Sequence, residues 1–116
     1  MRQLALLFCL LPACLFPAGC KSRVINVTIV NQGSAPVRNV EVGYPGGSYG
    51  ISQLAAGKSH QYRIKPMAEA FMEIHYVDPS GSTRSQKGPR LHQDQEGSIT
   101  VLINEKQASI TQTLTH

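Results

Sequence analysis

Val24-Ile25-Asn26-Val27-Thr28-Ile29-Val30 puts Ile25, Val27 and Ile29 on one side of an extended chain and Asn26 and Thr28 on the other. Successive side chains of a strand point to opposite faces, so the alternation describes a strand with one buried face and one wet face. A helix would scatter the same three apolar residues around its surface. Every residue of the stretch except Asn26 is β-branched, a type that packs well on a pleated surface and loses rotamer freedom in a helix.

The same period recurs along the chain. After the turn Asn31-Gln32-Gly33-Ser34-Ala35-Pro36, the run Val37-Arg38-Asn39-Val40-Glu41-Val42-Gly43-Tyr44 points Val40, Val42 and Tyr44 one way. Ser59-His60-Gln61-Tyr62-Arg63-Ile64-Lys65 turns Tyr62 and Ile64 inward and is ended by Pro66. Ala70-Phe71-Met72-Glu73-Ile74-His75-Tyr76-Val77 does the same with Met72, Ile74 and Tyr76, and Asp78-Pro79-Ser80-Gly81 has the Pro and Gly placement of a tight turn. Ile99, Val101 and Ile103 mark a further strand, and the more polar run at 108–114 reads as an edge strand or a tail. Two segments break the pattern. Residues 44–50 are rich in glycine and are expected to form a loop, followed by a short strand at 49–53. Residues 82–95 are polar and are expected to hold one short strand at 83–87 and a long loop through Gly88-Pro89. Turn signals recur every 8–12 residues with no helical segment among them. The expected fold is all-β: an antiparallel β-sandwich of about seven strands, following an N-terminal signal helix.

That signal is read from the first residues. Met1-Arg2-Gln3 precedes an uncharged apolar stretch at 4–16, the layout of a secretory signal. The stretch has about 13 residues where a bilayer-crossing helix needs about 20, and Pro12 interrupts it. Pro17-Ala18-Gly19-Cys20-Lys21-Ser22 then resembles the lipobox of bacterial lipoproteins, with small residues at the two positions before a cysteine. The resemblance implies a diacylglycerol on the Cys20 sulfur, cleavage before it and acylation of the new amino terminus. The family's usual Leu three places before the cysteine is replaced by Pro17. Leu11-Pro12-Ala13-Cys14 is a second candidate that has this Leu but leaves a very short leader. Cys20 is preferred, and the chain divides into a signal peptide at 1–19, a lipidated linker at 20–23 and one domain at 24–116. Lys21 after the cysteine resembles the pattern that sorts such proteins to the outer membrane. The expected location is therefore the outer membrane, facing the periplasm or the cell surface.

A second resemblance lies in the domain. The stretch from Val30-Asn31-Gln32-Gly33 through Asn39-Val40-Glu41-Val42 to Leu54-Ala55-Ala56-Gly57-Lys58-Ser59 is similar to the immunoglobulin-like, adhesion-type modules of bacterial surface proteins. It covers about a third of the chain and implies a sandwich that serves as a spacer or binding unit.

Composition excludes several other functions. Cys9, Cys14 and Cys20 are the only cysteines, so a chain cut before Cys20 carries no disulfide and no thiol chemistry beyond its anchor. Such a chain would hold ten basic and seven acidic side chains, the basic ones scattered singly, which argues against a nucleic-acid partner. Gly57-Lys58-Ser59 lacks the earlier glycine of a phosphate loop, because Ser52 stands there, and a strand follows where that loop needs a helix. His60, His75, His92 and His116 are single residues in separate elements, without the spacing of a metal site. Glu73 and His75 share one strand face and would need a neighbour to make a site. No serine stands in a nucleophile elbow, and the carboxylates lie mostly at turns or outer faces. The expectation is a non-enzyme without cofactor or metal.

Its expected partners are the membrane, through the lipid anchor, and an envelope protein or a glycan. Tyr44 and Tyr49 in the expected 44–50 loop are the first candidates for contact, by stacking on a sugar ring or anchoring a protein. The competing reading, that these two rings close the end of the core, carries the greater weight. Arg90 and His92, in the polar segment at 86–95, are the weaker second pair.

Overall fold

The computed structural model describes residues 23–115. The expected signal peptide, its helix and Cys20 lie outside the described residues. Eight strands follow in chain order: β1 (Ile25–Asn31), β2 (Val37–Tyr44), β3 (Gly47–Leu54), β4 (Ser59–Ile64), β5 (Ala70–Val77), β6 (Thr83–Leu91), β7 (Glu96–Ile103) and β8 (Ala108–Thr115). They form two four-stranded sheets: a first sheet in the order β4-β1-β7-β8 and a second in the order β3-β2-β5-β6. The described residues contain no helix.

The alternation that decided the fold also decides the packing. Ile25, Val27 and Ile29 from β1 and Ile99, Val101 and Ile103 from β7 have no exposed surface, and they meet Val40, Val42, Met72, Ile74 and Tyr76 of the second sheet in one core. A fully buried aliphatic side chain contributes about 1.5–3 kcal/mol, so this inner layer is the main term opposing chain entropy in a β-sandwich-like fold with no disulfide among the described residues. The strand directions give the molecule two ends. At the entry end lie Arg23-Val24, the turn between β2 and β3, the β4–β5 and β6–β7 connections, and the end of β8. At the far end lie the β1–β2, β3–β4, β5–β6 and β7–β8 connections.

Four features differ from the sequence expectation. There are eight strands rather than about seven. Residues 44–50 are not a loop but the tip of a β-hairpin: Tyr44 pairs with Gly47, and Pro45-Gly46 alone make the turn. Gly46 takes φ +105°, the positive value that a type II turn with Pro at its second position requires of its third, so one glycine there serves the turn while Gly47 and Gly50 belong to an edge strand. Residues 83–91 form one continuous strand, β6, instead of a short strand and a long loop. Pro89 is tolerated because β6 is an edge strand, where its missing N–H breaks no ladder on the open side. A register shift between Phe71 and Glu73 accommodates the extra residue, and Gly88 lets the chain approach Met72 so closely that a Cβ would lie 3.1 Å from the Met72 Cβ. Finally, the sheets are not wholly antiparallel: β1 and β7 pair in parallel over Ile25↔Gly97 to Asn31↔Ile103, because the chain leaves the second sheet at the entry end and starts β7 beside the start of β1.

The tight turn expected at 78–81 is present, and another stands at 55–58. Lys58 donates its backbone N–H to the Ala55 carbonyl at 3.1 Å, and Gly81 donates to the Asp78 carbonyl at 2.9 Å.

Candidate functional site

Tyr49 pairs with Val42, so it faces inward between the edge strands β3 and β4. There its ring stacks on Tyr62 of β4 with centroids 3.8 Å apart and the planes inclined by 17°. His60 lies 5.4 Å from the Tyr49 centroid and its Nε2 is 2.5 Å from the Tyr49 hydroxyl. Tyr44, at the end of β2, packs against the same core, and its hydroxyl comes within 3.0 Å of the position a Cβ on Gly47 would take. Burial pushes the Tyr62 phenol well above its ordinary value, and the neighbouring Tyr44 and Tyr49 phenols push it further. Among the described residues the buried Tyr62 hydroxyl finds no hydrogen-bond partner. The rings therefore face one another and seal one open side of the sandwich. Tyr49 offers a guest little of the ring face that already lies against Tyr62.

Arg90 and His92 lie at the entry end on the other side of the second sheet, where β5 separates their strand from β2. Arg90 Nε donates to Glu69 Oε2 at 3.0 Å, and that contact holds the Glu69 carboxyl below its ordinary value. The half-exposed Phe71 ring carries Lys87 Nζ at 4.3 Å and the Arg90 guanidinium at 5.6 Å. His92 Nδ1 lies 3.0 Å from the Gln93 carbonyl, and its backbone N–H donates to Gln95 Oε1 at 3.1 Å. The four residues singled out from sequence occupy two separate places: Tyr44 and Tyr49 on β2 and β3, Arg90 and His92 at the end of β6.

At the far end Asp78 is a fastener. Its Oδ1 accepts from the Ser80 hydroxyl at 2.6 Å and from the Ser80 and Ser82 backbone N–H groups, while Oδ2 accepts from Arg84 Nε at 2.8 Å. The Ser80 hydroxyl first, and Arg84 next, hold the carboxyl far below the usual carboxylate range. Glu105 accepts from the Ser34 backbone N–H and hydroxyl across the same end. These acceptors are engaged in closing turns, a structural use. Glu73 and His75, 3.4 Å apart, do find a cross-strand neighbour, because Glu41 stands opposite His75. Among the described residues no three His, Cys, Asp or Glu side chains are placed to hold a metal ion.

The feature that sequence reading missed is the outer face of the first sheet. Registers across its four strands set Gln61, Thr28, Thr100 and Thr111 in one row and Arg63, Asn26, Ser98 and Thr113 in the next. A third row holds Ser59, Val30, Leu102 and Ser109. No register shift interrupts these ladders, whereas both β2–β5 and β5–β6 are shifted. Gln61 Nε2 donates to Thr28 Oγ1 at 3.3 Å, and a shallow depression of about 430 Å³ opens among Asn26, Thr28, Gln61, Tyr62, Arg63 and Ser98. Thr28 and Thr100 alternate with buried apolar residues in unremarkable strand patterns; only the sheet order sets them side by side.

No protein-family model matches the chain, and no curated protein matches it. Its fold is similar to that of a protein from Eubacterium rectale solved by NMR, with a TM-score of 0.57 at 14% identity, over 83% of this chain and 94% of that one. At that identity the likeness describes the fold alone.

Proposed function

We propose that the chain is a lipid-anchored envelope protein whose immunoglobulin-like domain acts as a non-catalytic interaction or structural module. The observation that carries the reading is Cys20, behind Ala18-Gly19 at the end of an apolar leader and separated from β1 by only four residues. A linker this short spans at most about 3.3–3.6 Å per residue, so the entry end of the domain would stand close to the bilayer. Two acyl chains or more, at about 0.8 kcal/mol per buried methylene, would make such an anchor stable. The immunoglobulin-like assignment is supported by strand order. β4 beside β1, and β3-β2-β5-β6 opposite, follow the E–B and C′–C–F–G neighbours of that sandwich, with β7 taking the place beside β1 that strand A holds there. Lys21 supports an outer-membrane location, facing the periplasm or the surface.

Mass spectrometry of the mature protein from the membrane fraction tests the anchor. An acylated amino terminus at Cys20 is expected, lost in Cys20→Ser and kept in Cys14→Ser. A processed wild type with a free amino terminus in the soluble fraction overturns the reading.

A further inference from the structure

We infer that the outer face of the first sheet binds an extended, uncharged glycan strand. The inference names a ligand class for the interaction module proposed above and rests on that reading. Neighbouring strands lie about 4.8 Å apart, so the row Gln61-Thr28-Thr100-Thr111 presents four polar side chains at nearly regular steps across the sheet. The row Arg63-Asn26-Ser98-Thr113 repeats the array one side-chain step along the strands. Uninterrupted register keeps both rows in line. Sugars in an extended glycan advance by about one strand spacing each and carry hydroxyls that donate and accept, as Thr, Ser, Asn and Gln collectively do. Val30 and Leu102 in the adjoining row supply the apolar contact that the C–H faces of sugar rings need.

The chemistry of this face selects against other occupants. Arg63 is the one charged side chain in these three rows, so a highly charged polymer finds little to pair with. A stable interface with a second copy needs an apolar centre, and Val30 and Leu102 alone do not make one. Hydroxyls that are individually weak in water gain from repetition, and a repeating ligand matches a repeating surface.

The test uses the full acylated chain in detergent, with chitin beads and microcrystalline cellulose as the probes. Retention on at least one of these neutral polymers is expected and should persist at 0.5 M salt, about three times the physiological ionic strength at which exposed charges are already partly screened. The Thr28→Val, Thr100→Val and Thr111→Val triple variant preserves shape and β-propensity while removing three hydroxyls. It should weaken retention at least about tenfold with the melting temperature unchanged. Glu73→Gln on the opposite face should bind as the wild type does. Absence of retention on both polymers, equal retention by the triple variant, retention abolished by salt, or a dimer in sedimentation that the triple variant dissociates would each overturn the inference. Failure of the anchor reading appears separately, as an unacylated amino terminus.

Discussion

The outer faces of the two sheets are built from the same strand geometry and have opposite surfaces. On the first sheet, straight ladders align hydroxyl and amide side chains with one arginine among them. On the second, Glu41, Glu73, His75 and Lys87 face solvent, and the ladders slip between Arg38 and Glu41 and again between Phe71 and Glu73. Asn39 sits at the first slip with φ 49°, in the left-handed region that asparagine tolerates. Bulges bend a strand and increase its twist, so they re-aim side chains one by one, whereas an unbroken ladder repeats them. Charge with irregularity, and neutrality with repetition, therefore go together in this molecule. A regular ligand can read only the second combination.

The comparison is sharpened most by breaking the layer beneath the first face. Ile99→Ala should cost about 2–5 kcal/mol in denaturant unfolding, while Thr100→Ala, one residue on and pointing outward, should change stability by no more than about 0.5 kcal/mol. Equal effects would mean that the outer row is part of the stabilising structure rather than a surface. Next in size is Gly97→Ala. Gly97 has φ +138°, and a Cβ there would stand 2.0 Å from the Thr113 carbonyl oxygen. A loss of about 1–3 kcal/mol is expected, with faster amide exchange along β8, which would undo the alignment of Thr111 and Thr113. The smallest effect belongs to the charged face. Glu73→Gln breaks an exposed pair with His75 and should shift stability by less than about 0.5 kcal/mol, as read by thermal unfolding at two salt concentrations. A larger loss would make that face a stabilising network instead of a solvated one.

Much of the fold was legible because the buried face of a strand is written locally. Residues two apart share a face, so Val27, Val42, Met72, Ile74, Ile99 and Val101 could be assigned to the interior one strand at a time, and each is buried. Glycine and proline were misread where the local signal has two meanings. Pro45-Gly46-Gly47 looks like a loop whether one glycine or three are needed for bending, and only the pairing of Tyr44 with Gly47 separates the cases. Pro89 reads as a strand breaker until its strand is known to be an edge. For the candidate site, Tyr44 and Tyr49 are legible in the sequence as aromatic residues beside a glycine-rich turn, but the rings that lie against Tyr49, those of Tyr62 and His60, arrive from a strand that pairs with β1.

By itself, then, the sequence determined an all-β chain with a definite inner face and few places to turn, because strand period and turn chemistry act over a handful of residues. Tertiary structure alone decided which strands are neighbours, that β7 runs parallel to β1, and that Thr28, Gln61, Thr100 and Thr111 stand in a row. Those residues are distant in sequence, and what joins them is backbone hydrogen bonding between strands, whose partner and register follow from burying all the inner faces at once.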